Sequence, residues 1–248
     1  MHFKLEIIGF NIESCITAQA AGANRIELCD NAAEGGTTAS HGFIKAARKV
    51  LKIELYPIIR PRGGDFLYSD EEFEIMKTDV QLCKQLGCDG VVIGMLNKDG
   101  SIDKKRSAHL VSLAYPLGVT FHRAFDRCND PLKGLEDIID IGCERILTSG
   151  QQPTANEGID LIKQLIEQAD ERIIIMPGSG VRSNNIKEIA AQTGATEFHS
   201  SAKTLLASPM QYNNSSMNEK LSLISVDESE IKEMVSQLRQ HFIRHRQA

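Results

Sequence analysis

The chain has no long apolar segment. No run of apolar residues approaches the roughly 20 that a membrane-spanning helix requires. The first strand-like pattern, residues 3–8, is not preceded by the apolar stretch typical of a signal peptide. We therefore expect no membrane span and a cytoplasmic location.

The sequence also has no excess of positive charge. Its 33 acidic residues outnumber 28 lysines and arginines, which gives a net charge of -5 at pH 7. Proteins whose main task is to bind nucleic acid or an anionic membrane carry a basic surface. We expect neither partner here, and the acidic balance favours solubility.

Paired cysteines are missing as well. The six cysteines form no Cys-x-x-Cys pair and no Cys/His cluster at zinc spacing. A disulfide framework and a structural zinc site are therefore not expected, and most cysteines are predicted to be small core residues. They are Cys15, Cys29, Cys83, Cys88, Cys128 and Cys143.

A repeated β-α pattern is the main feature present. Apolar residues switch between the period of a strand and that of a helix about every 30 residues. Strands are predicted at 4–8, 24–29, 53–60, 90–94, 119–122, 145–149, 172–177 and 196–200. Helices are predicted at 12–21, 42–51, 70–86, 103–114, 131–141, 156–168, 183–192 and 228–244.

Eight such units predict an α/β fold of the TIM-barrel type, a (β/α)8 barrel. An open doubly wound sheet commonly has fewer strands and often a Gly-x-Gly-x-x-Gly fingerprint after the first, which is lacking here, so no nucleotide cofactor is expected. No Pro/Gly/Ser-rich linker divides the chain, so residues 1–248 are predicted to form one domain. Residues 203–225, rich in Ser and Asn, are predicted to be an irregular loop insertion before the C-terminal helix at 228–244.

The fifth strand, at 119–122, ends in an unusual way. Val119 and Phe121 share one face, so Thr120 and His122 share the other, and Arg123 follows at the strand end. Burying a cation and an imidazole is costly unless partners or a ligand compensate. This segment is therefore predicted to form one wall of a site.

The same alternation predicts ionisable side chains inside the barrel. The predicted interior set is Glu6, Glu27, Arg60, His122, Glu197 and His199. Such a set can transfer protons or hold a ligand, with Glu27 and His122 as acid/base candidates and Arg60 and Arg123 as further catalytic candidates. It can equally be a self-satisfied ion-pair network that only stabilises the barrel.

Loops after strands seven and eight are candidates for anion binding. Such loops often bind phosphate in TIM barrels, because small residues let backbone N–H groups approach an anion. The candidates are Gly178, Ser179, Gly180, Ser200 and Ser201. Alternatively, the two glycines simply form a tight turn.

Two further anion-binding candidates lie on neighbouring loops. Arg62 follows strand three, and a guanidinium is suited to bidentate capture of carboxylate or phosphate. A salt bridge from Arg62 to Asp65 is the competing interpretation. Ser149, after strand six, adds a hydroxyl to the same rim. No lysine at a strand end is placed for a Schiff base, which disfavours aldolase chemistry.

Several long motifs are more specific than any short glycine pattern. They are RIELC at 25–29, EGGTT at 34–38, IRPRGGDF at 59–66, DGVV at 89–92, TFHRAFD at 120–126, RILTSGQ at 145–151 and MPG at 176–178. Together they resemble the CutC family of copper homeostasis proteins. The resemblance covers nearly the whole chain up to about residue 202.

This resemblance implies a cytoplasmic TIM barrel that forms homo-oligomers, a dimer or a tetramer, with a role for Cu(I). The family's candidate ligands are cysteines near the ends of strands one and two, which match Ile8 and Cys29 here. Cu(I) prefers thiolate and thioether ligands. With Ile8 in place of a cysteine, a Cu(I) site would need Cys29 together with a substitute donor such as His122 or His199.

Three functional hypotheses follow. The resemblance implies a copper-handling protein. The residues themselves favour an enzyme for a small anionic, possibly phosphorylated, metabolite, in which arginines and the 178–180 loop hold the anion and Glu27 or His122 moves a proton. A barrel that serves only as an assembly partner would instead have a large apolar interface.

Overall fold

The computed structural model describes residues 3–214, 216–218 and 220–244. The ends of the predicted domain, 1–2 and 245–248, lie outside the described residues. Strands and helices alternate along the chain, as the apolar pattern predicts.

The strands are β1 (Lys4–Gly9), β2 (Arg25–Leu28), β3 (Glu54–Pro57), β4 (Gly90–Ile93), β5 (Gly118–Phe121), β6 (Arg145–Thr148), β7 (Ile174–Pro177), β8 (Glu197–Ser200), β9 (Lys203–Leu206) and β10 (Leu223–Val226). The helices are α1 (Ile12–Ala20), α2 (His41–Val50), α3 (Asp70–Gln85), α4 (Lys104–Ala114), α5 (Pro131–Ile141), α6 (Ile159–Ala169), α7 (Ile186–Thr193) and α8 (Glu228–Arg244).

The first eight strands are parallel and form a barrel. Four run in the order β3-β2-β1-β8 and four in the order β4-β5-β6-β7. A parallel bridge between Ile58 and Val92 joins β3 to β4, and β7 lies beside β8. The predicted (β/α)8 fold is confirmed. No helix among the described residues combines the length and the apolar character needed to cross a bilayer.

Strand alternation places the core as predicted. Leu5, Ile7, Ile26, Leu28 and Leu55 point away from the barrel axis and are fully buried under the helices. The helices cover them with their own apolar faces. The opposite face of each strand, which carries the ionisable residues, therefore points into the barrel.

Some predicted boundaries are wrong by up to three residues. Strand β3 ends at Pro57, so Arg60 lies beyond the regular ladder. Helix α7 begins at Ile186 and not at 183, because both the N–H and the hydroxyl of Ser183 bond to Glu230 of α8 at 2.8 Å and do not cap α7.

The prediction of an irregular insertion at 203–225 is wrong for the two ends of this segment. Strands β9 and β10 pair antiparallel, with Lys203 opposite Val226, so the segment is a hairpin whose described central part is irregular. The Nδ2 of Asn11 donates to the carbonyl of Ile224 at 2.7 Å and attaches the hairpin to the start of α1. The hairpin therefore begins directly at the mouth of the barrel.

Candidate functional site

A cavity of about 310 Å3 opens at the C-terminal mouth of the barrel. Residues from several strand ends and the loops behind them line it, as expected for this fold. Eight of the residues predicted from sequence lie on its wall: Glu27, Arg60, His122, Arg123, Ser179, Gly180, His199 and Ser201.

Arg62, one of the predicted anion-binding residues, is placed outside the cavity. Its Nε contacts Glu72 at 2.6 Å, its Nη2 contacts Asp65 at 3.0 Å, and its guanidinium stacks on Tyr68. The competing interpretation, a salt bridge to Asp65, is therefore the one observed.

Four more candidates lie behind the cavity wall and do not form it. The hydroxyl of Ser200 donates to the carbonyl of Val181 at 2.7 Å. Ser149 is held by Asp126 and Arg123, and Gly178 packs beneath His199. Cys29 is fully buried against Gly36.

The N-terminal half of the barrel interior holds a closed ion network. Arg25 is completely buried, and its Nε contacts Glu6 at 2.5 Å while its Nη2 contacts Glu197 at 2.6 Å. Arg145 contacts the same Glu197 oxygen at 3.1 Å. The ring of Tyr56 lies about 5 Å from both guanidinium carbons. For Glu6 and Glu197 the alternative of a self-satisfied network is therefore observed.

A chain of three side chains leads from this network to the cavity. The Nδ1 of His199 lies 2.7 Å from Oε1 of Glu6, and its Nε2 lies 3.8 Å from Oε2 of Glu27. Glu6 belongs to the network, whereas Glu27 and His199 line the cavity. His199 therefore connects a fully paired carboxylate with one that faces open space.

The two carboxyl groups have very different pKa values. Burial would raise the pKa of Glu6, but Arg25 and His199 outweigh it and lower the pKa to about 2. Burial raises the pKa of Glu27 to about 7, because the opposing effect of His199 is smaller. Burial lowers the pKa of His199, but its hydrogen bond to Glu6 and the charge of Glu27 more than offset this, so the pKa is raised. Glu27 can therefore gain or lose a proton near neutral pH.

His122 follows β5 and faces the cavity from the other side. Its Nδ1 accepts a hydrogen bond from the N–H of Ala124 at 3.1 Å, and its buried Nε2 has no partner among the described residues. Burial and the charge of Arg60 lower its pKa to about 3. The ring is therefore neutral at physiological pH.

Arg60 connects the loops around the mouth. Its Nη1 donates to the carbonyls of Glu34 and Gly36, and its Nη2 donates to the carbonyl of Gly64 at 2.8 Å. The guanidinium also lies over the ring of Phe66. No carboxylate is paired with this cation among the described residues, so it contributes positive charge to the cavity wall.

Arg123 and Lys203 add two more cations to the wall. Asp126 and Ser149 hold Nε and Nη2 of Arg123 at 2.7 and 2.8 Å, and its Nη1 has no partner in the part of the chain that the structure describes. Lys203 was missed in the sequence because it lies within the segment predicted to be irregular. Its position three residues after β8 was the signal that could have identified it.

Comparison with known proteins places this geometry in a family. The model of the CutC family matches residues 3–204. The chain belongs to the CutC family. A CutC family protein of Parabacteroides distasonis is 52% identical over 222 residues, which cover 89% of this chain and 91% of that protein. The mouse copper homeostasis protein cutC homolog is 49% identical over 215 residues, covering 87% and 79% of the two chains.

A solved structure shares the fold of this CutC family member. The crystal structure of CutC from Streptococcus agalactiae is 36% identical, covers 80% of this chain and 98% of its own, and superposes with a TM-score of 0.77. The family model ends at residue 204, so Lys203 lies at its edge and the rest of the hairpin lies beyond it.

The donors of this CutC family member do not fit a Cu(I) site. Burial and the nearby Glu27 raise the pKa of the Cys29 thiol well above its usual value, so forming the thiolate that Cu(I) prefers is unfavourable at this position. Position 8 is Ile. Donor atoms of Glu6, Glu27 and His199 lie within 4.8 Å of one another, but they are oxygen and imidazole ligands, and both Glu6 oxygens already have partners.

Proposed function

We propose that this protein is an enzyme that moves a proton on a small anionic metabolite bound in the C-terminal mouth. The observation that carries the proposal is the position of Glu27, a buried carboxyl group on the cavity wall with His199 and Glu6 behind it. A general acid/base works best when its pKa lies near the working pH, and the pKa of Glu27 is raised to about 7.

The charge of the cavity supports an anionic substrate. Among the described residues that line the cavity, the three cations Arg60, Arg123 and Lys203 outnumber the one carboxyl group, that of Glu27. Ser179 and Gly180 also line the cavity, and their amide N–H groups have no backbone acceptor within the described ranges. Two adjacent free amides and nearby cations suit a phosphate or carboxylate group.

The size of the cavity supports a small substrate. At roughly 30 Å3 for each water-sized atom, about 310 Å3 accommodates on the order of ten non-hydrogen atoms. A three- or four-carbon metabolite with one phosphate or carboxylate group is of this size. We therefore test sugar phosphates, hydroxy acids and oxo acids.

The experiment is an activity profile of the purified protein. A panel of these three compound classes is incubated with wild type, with Glu27→Gln and with Glu167→Gln, and products are measured by mass spectrometry. Glu167 is an exposed carboxylate on α6 and is the matched control. We expect conversion by wild type and the control, and a rate at least about 100-fold lower for Glu27→Gln. No conversion of any panel member, or full activity of Glu27→Gln, would overturn the proposal.

Copper handling is the second candidate, and the names of the relatives support it. The mouse and human relatives are called copper homeostasis proteins. Its test is competition for Cu(I) against a chelator of known affinity. Stoichiometric binding that is lost in Cys29→Ser would favour this candidate over the enzyme.

A further inference from the structure

The ring of His122 has one nitrogen bonded and one nitrogen free. The N–H of Ala124 donates to Nδ1, so Nδ1 carries no proton. In a neutral imidazole the proton must then lie on Nε2, which makes Nε2 a donor. This donor is buried, lacks a partner among the described residues, and belongs to a side chain on the cavity wall.

The ring is fixed in this position by its neighbours. It packs against Phe66 with ring centroids 5.0 Å apart. A Cβ atom at position 94 would lie 2.3 Å from Cε1 and Nδ1, so Gly94 leaves the space that the ring occupies. A donor held rigidly before the reaction stabilises developing charge most effectively.

Capping alone does not account for the histidine. His122 precedes the short 3-10 helix Arg123–Arg127, and its Nδ1 serves as the cap acceptor. Ser supplies the same kind of acceptor without a second buried polar atom. The free Nε2–H is therefore an additional feature of the site, and an unpaired buried donor is unfavourable unless a ligand accepts from it.

The pKa values of His122 and His199 are shifted in opposite directions on the same cavity wall. The pKa of His122 is lowered to about 3 by burial and by Arg60, whereas the pKa of His199 is raised. A neutral imidazole N–H can donate to a carbonyl oxygen throughout a reaction at neutral pH, and some isomerases use histidine in this way.

We propose that Nε2–H of His122 binds the carbonyl oxygen of the substrate while Glu27 removes a proton from the adjacent carbon. The substrate class is then a small anionic aldehyde, ketone or 2-oxo acid with a C–H bond next to the carbonyl. This inference rests on the proposed function and specifies its reaction.

The step is balanced without a cofactor. The carboxylate of Glu27 takes the proton, the C–H bonding electrons form a carbon–carbon double bond, and the carbonyl electrons move to the oxygen, where the His122 donor stabilises the negative charge. In a hydroxycarbonyl compound, the hydroxyl proton then moves to the former carbonyl oxygen, and Glu27 returns its proton to the former carbonyl carbon, which completes an isomerisation. Return to the original carbon gives an exchanged or epimerised substrate.

The test is deuterium incorporation from D2O into carbon. The probes are aldose and ketose phosphates of three or four carbons, together with pyruvate and oxaloacetate, and blanks without enzyme correct for spontaneous exchange. The variants are His122→Phe, which removes the donor, and His122→Gln, which keeps an N–H donor. His109→Phe is the control, because His109 is an exposed histidine on α4.

We expect wild type and His109→Phe to incorporate deuterium next to the carbonyl of at least one probe. His122→Phe should be roughly 100-fold slower, and His122→Gln should recover part of the rate. Exchange by His122→Phe at the wild-type rate would overturn the inference. Conversion that depends on Glu27 but neither breaks nor forms a C–H bond would overturn it and leave the proposed function standing. If no probe or panel compound reacts, both fail.

A second measurement does not depend on how well the variants fold. Nitrogen-15 NMR of the wild-type protein should show the neutral Nε2–H form of His122 from about pH 5 to pH 8. A proton on Nδ1, or a titration midpoint inside that range, would overturn the inference.

Discussion

The two halves of the barrel interior use the same kinds of side chain in different ways. Towards the N-terminal ends of the strands, Arg25 is bonded to Glu6 and Glu197 within 2.6 Å. Towards the C-terminal ends, the only basic atom within 4 Å of the Glu27 carboxyl group among the described residues is Nε2 of His199, at 3.8 Å, and the Nε2 of His122 has no partner among them.

The difference follows from strand register. Glu6 lies opposite Arg25 across β1 and β2, and opposite His199 across β1 and β8. Glu27 lies opposite Ile8 on one side and Tyr56 on the other, so neither neighbouring strand supplies a cation. One carboxyl group is therefore ionised and structural, and the other keeps a raised pKa and faces the cavity.

Breaking the ion network in the N-terminal half of the barrel interior should have the largest effect on stability. Arg25→Met leaves the buried Glu6 without its guanidinium partner and leaves Glu197 with Arg145 alone. Removing one partner of a buried pair costs about 3–5 kcal/mol. Unfolding in urea should show a loss of this size in the free energy of unfolding. The control is Arg172→Met, which removes an exposed pair with Glu136 and should change little. Equal losses of free energy of unfolding in the two variants would contradict a structural role for the buried network.

Glu27→Gln should stabilise the protein at high pH. The folded pKa of about 7 lies above the ordinary glutamate value of 4.5, so the folded state binds more protons and the free energy of unfolding falls as pH rises from about 4.5 to about 7. His199, Glu6, Cys29 and Arg25 face this carboxyl group.

Removing the charge should raise the free energy of unfolding by roughly 2–3 kcal/mol at pH 8 and change it little at pH 5. Glu6→Gln is the matched comparison and should destabilise at both pH values, because the pKa of Glu6 is lowered and its charge is paired. Urea unfolding at the two pH values measures both variants. Destabilisation by Glu27→Gln at pH 8 would show that Glu27 belongs to the structural network.

Arg123→Met should weaken anion binding at the mouth. Loss of a charged hydrogen-bond donor costs about 1.5–3 kcal/mol, which is roughly a ten- to hundredfold change in Kd. Titration calorimetry with inorganic phosphate measures it. Arg62→Met should bind phosphate like wild type, because Arg62 is bonded to Glu72 and Asp65 outside the cavity. Equal losses in both variants would place the anion elsewhere.

Cys29→Ser should have the smallest effect. The thiol is fully buried, has a raised pKa and lies behind the cavity wall, so we expect weak Cu(I) binding that the substitution leaves unchanged. Competition with a Cu(I) chelator measures the affinity of both proteins. A large loss of affinity would show that a sulfur site forms at the mouth after all.

The sequence predicted the barrel and the inward residues because strand alternation is a local property. Leu5 and Ile7 needed the helices, so Glu6 had to point inward, and the same argument placed Glu27, His122 and His199. Pairing among these groups could not be predicted, since it depends on the register of strands far apart in sequence, such as β1 and β8.

Loop residues were harder to predict than strand residues. Alternation does not extend past a strand end, so nothing local showed that Arg62 turns towards Glu72 or that Arg60 binds the loop carbonyls of Glu34 and Gly36. The hairpin was missed because its strands pair mainly with each other and leave Leu205 and Leu223 exposed, so no buried alternating pattern marks them.

The difference between the two halves of the barrel interior requires that Glu27 titrates near neutral pH while Glu6 stays ionised. Carbon-13 NMR of the glutamate carboxyl carbons, assigned with Glu27→Gln and followed from pH 4 to pH 9, measures this directly. We expect a titration midpoint near pH 7 for Glu27 and no titration of Glu6 in this range. A midpoint for Glu27 below about 5, within the ordinary range of glutamate, would contradict it.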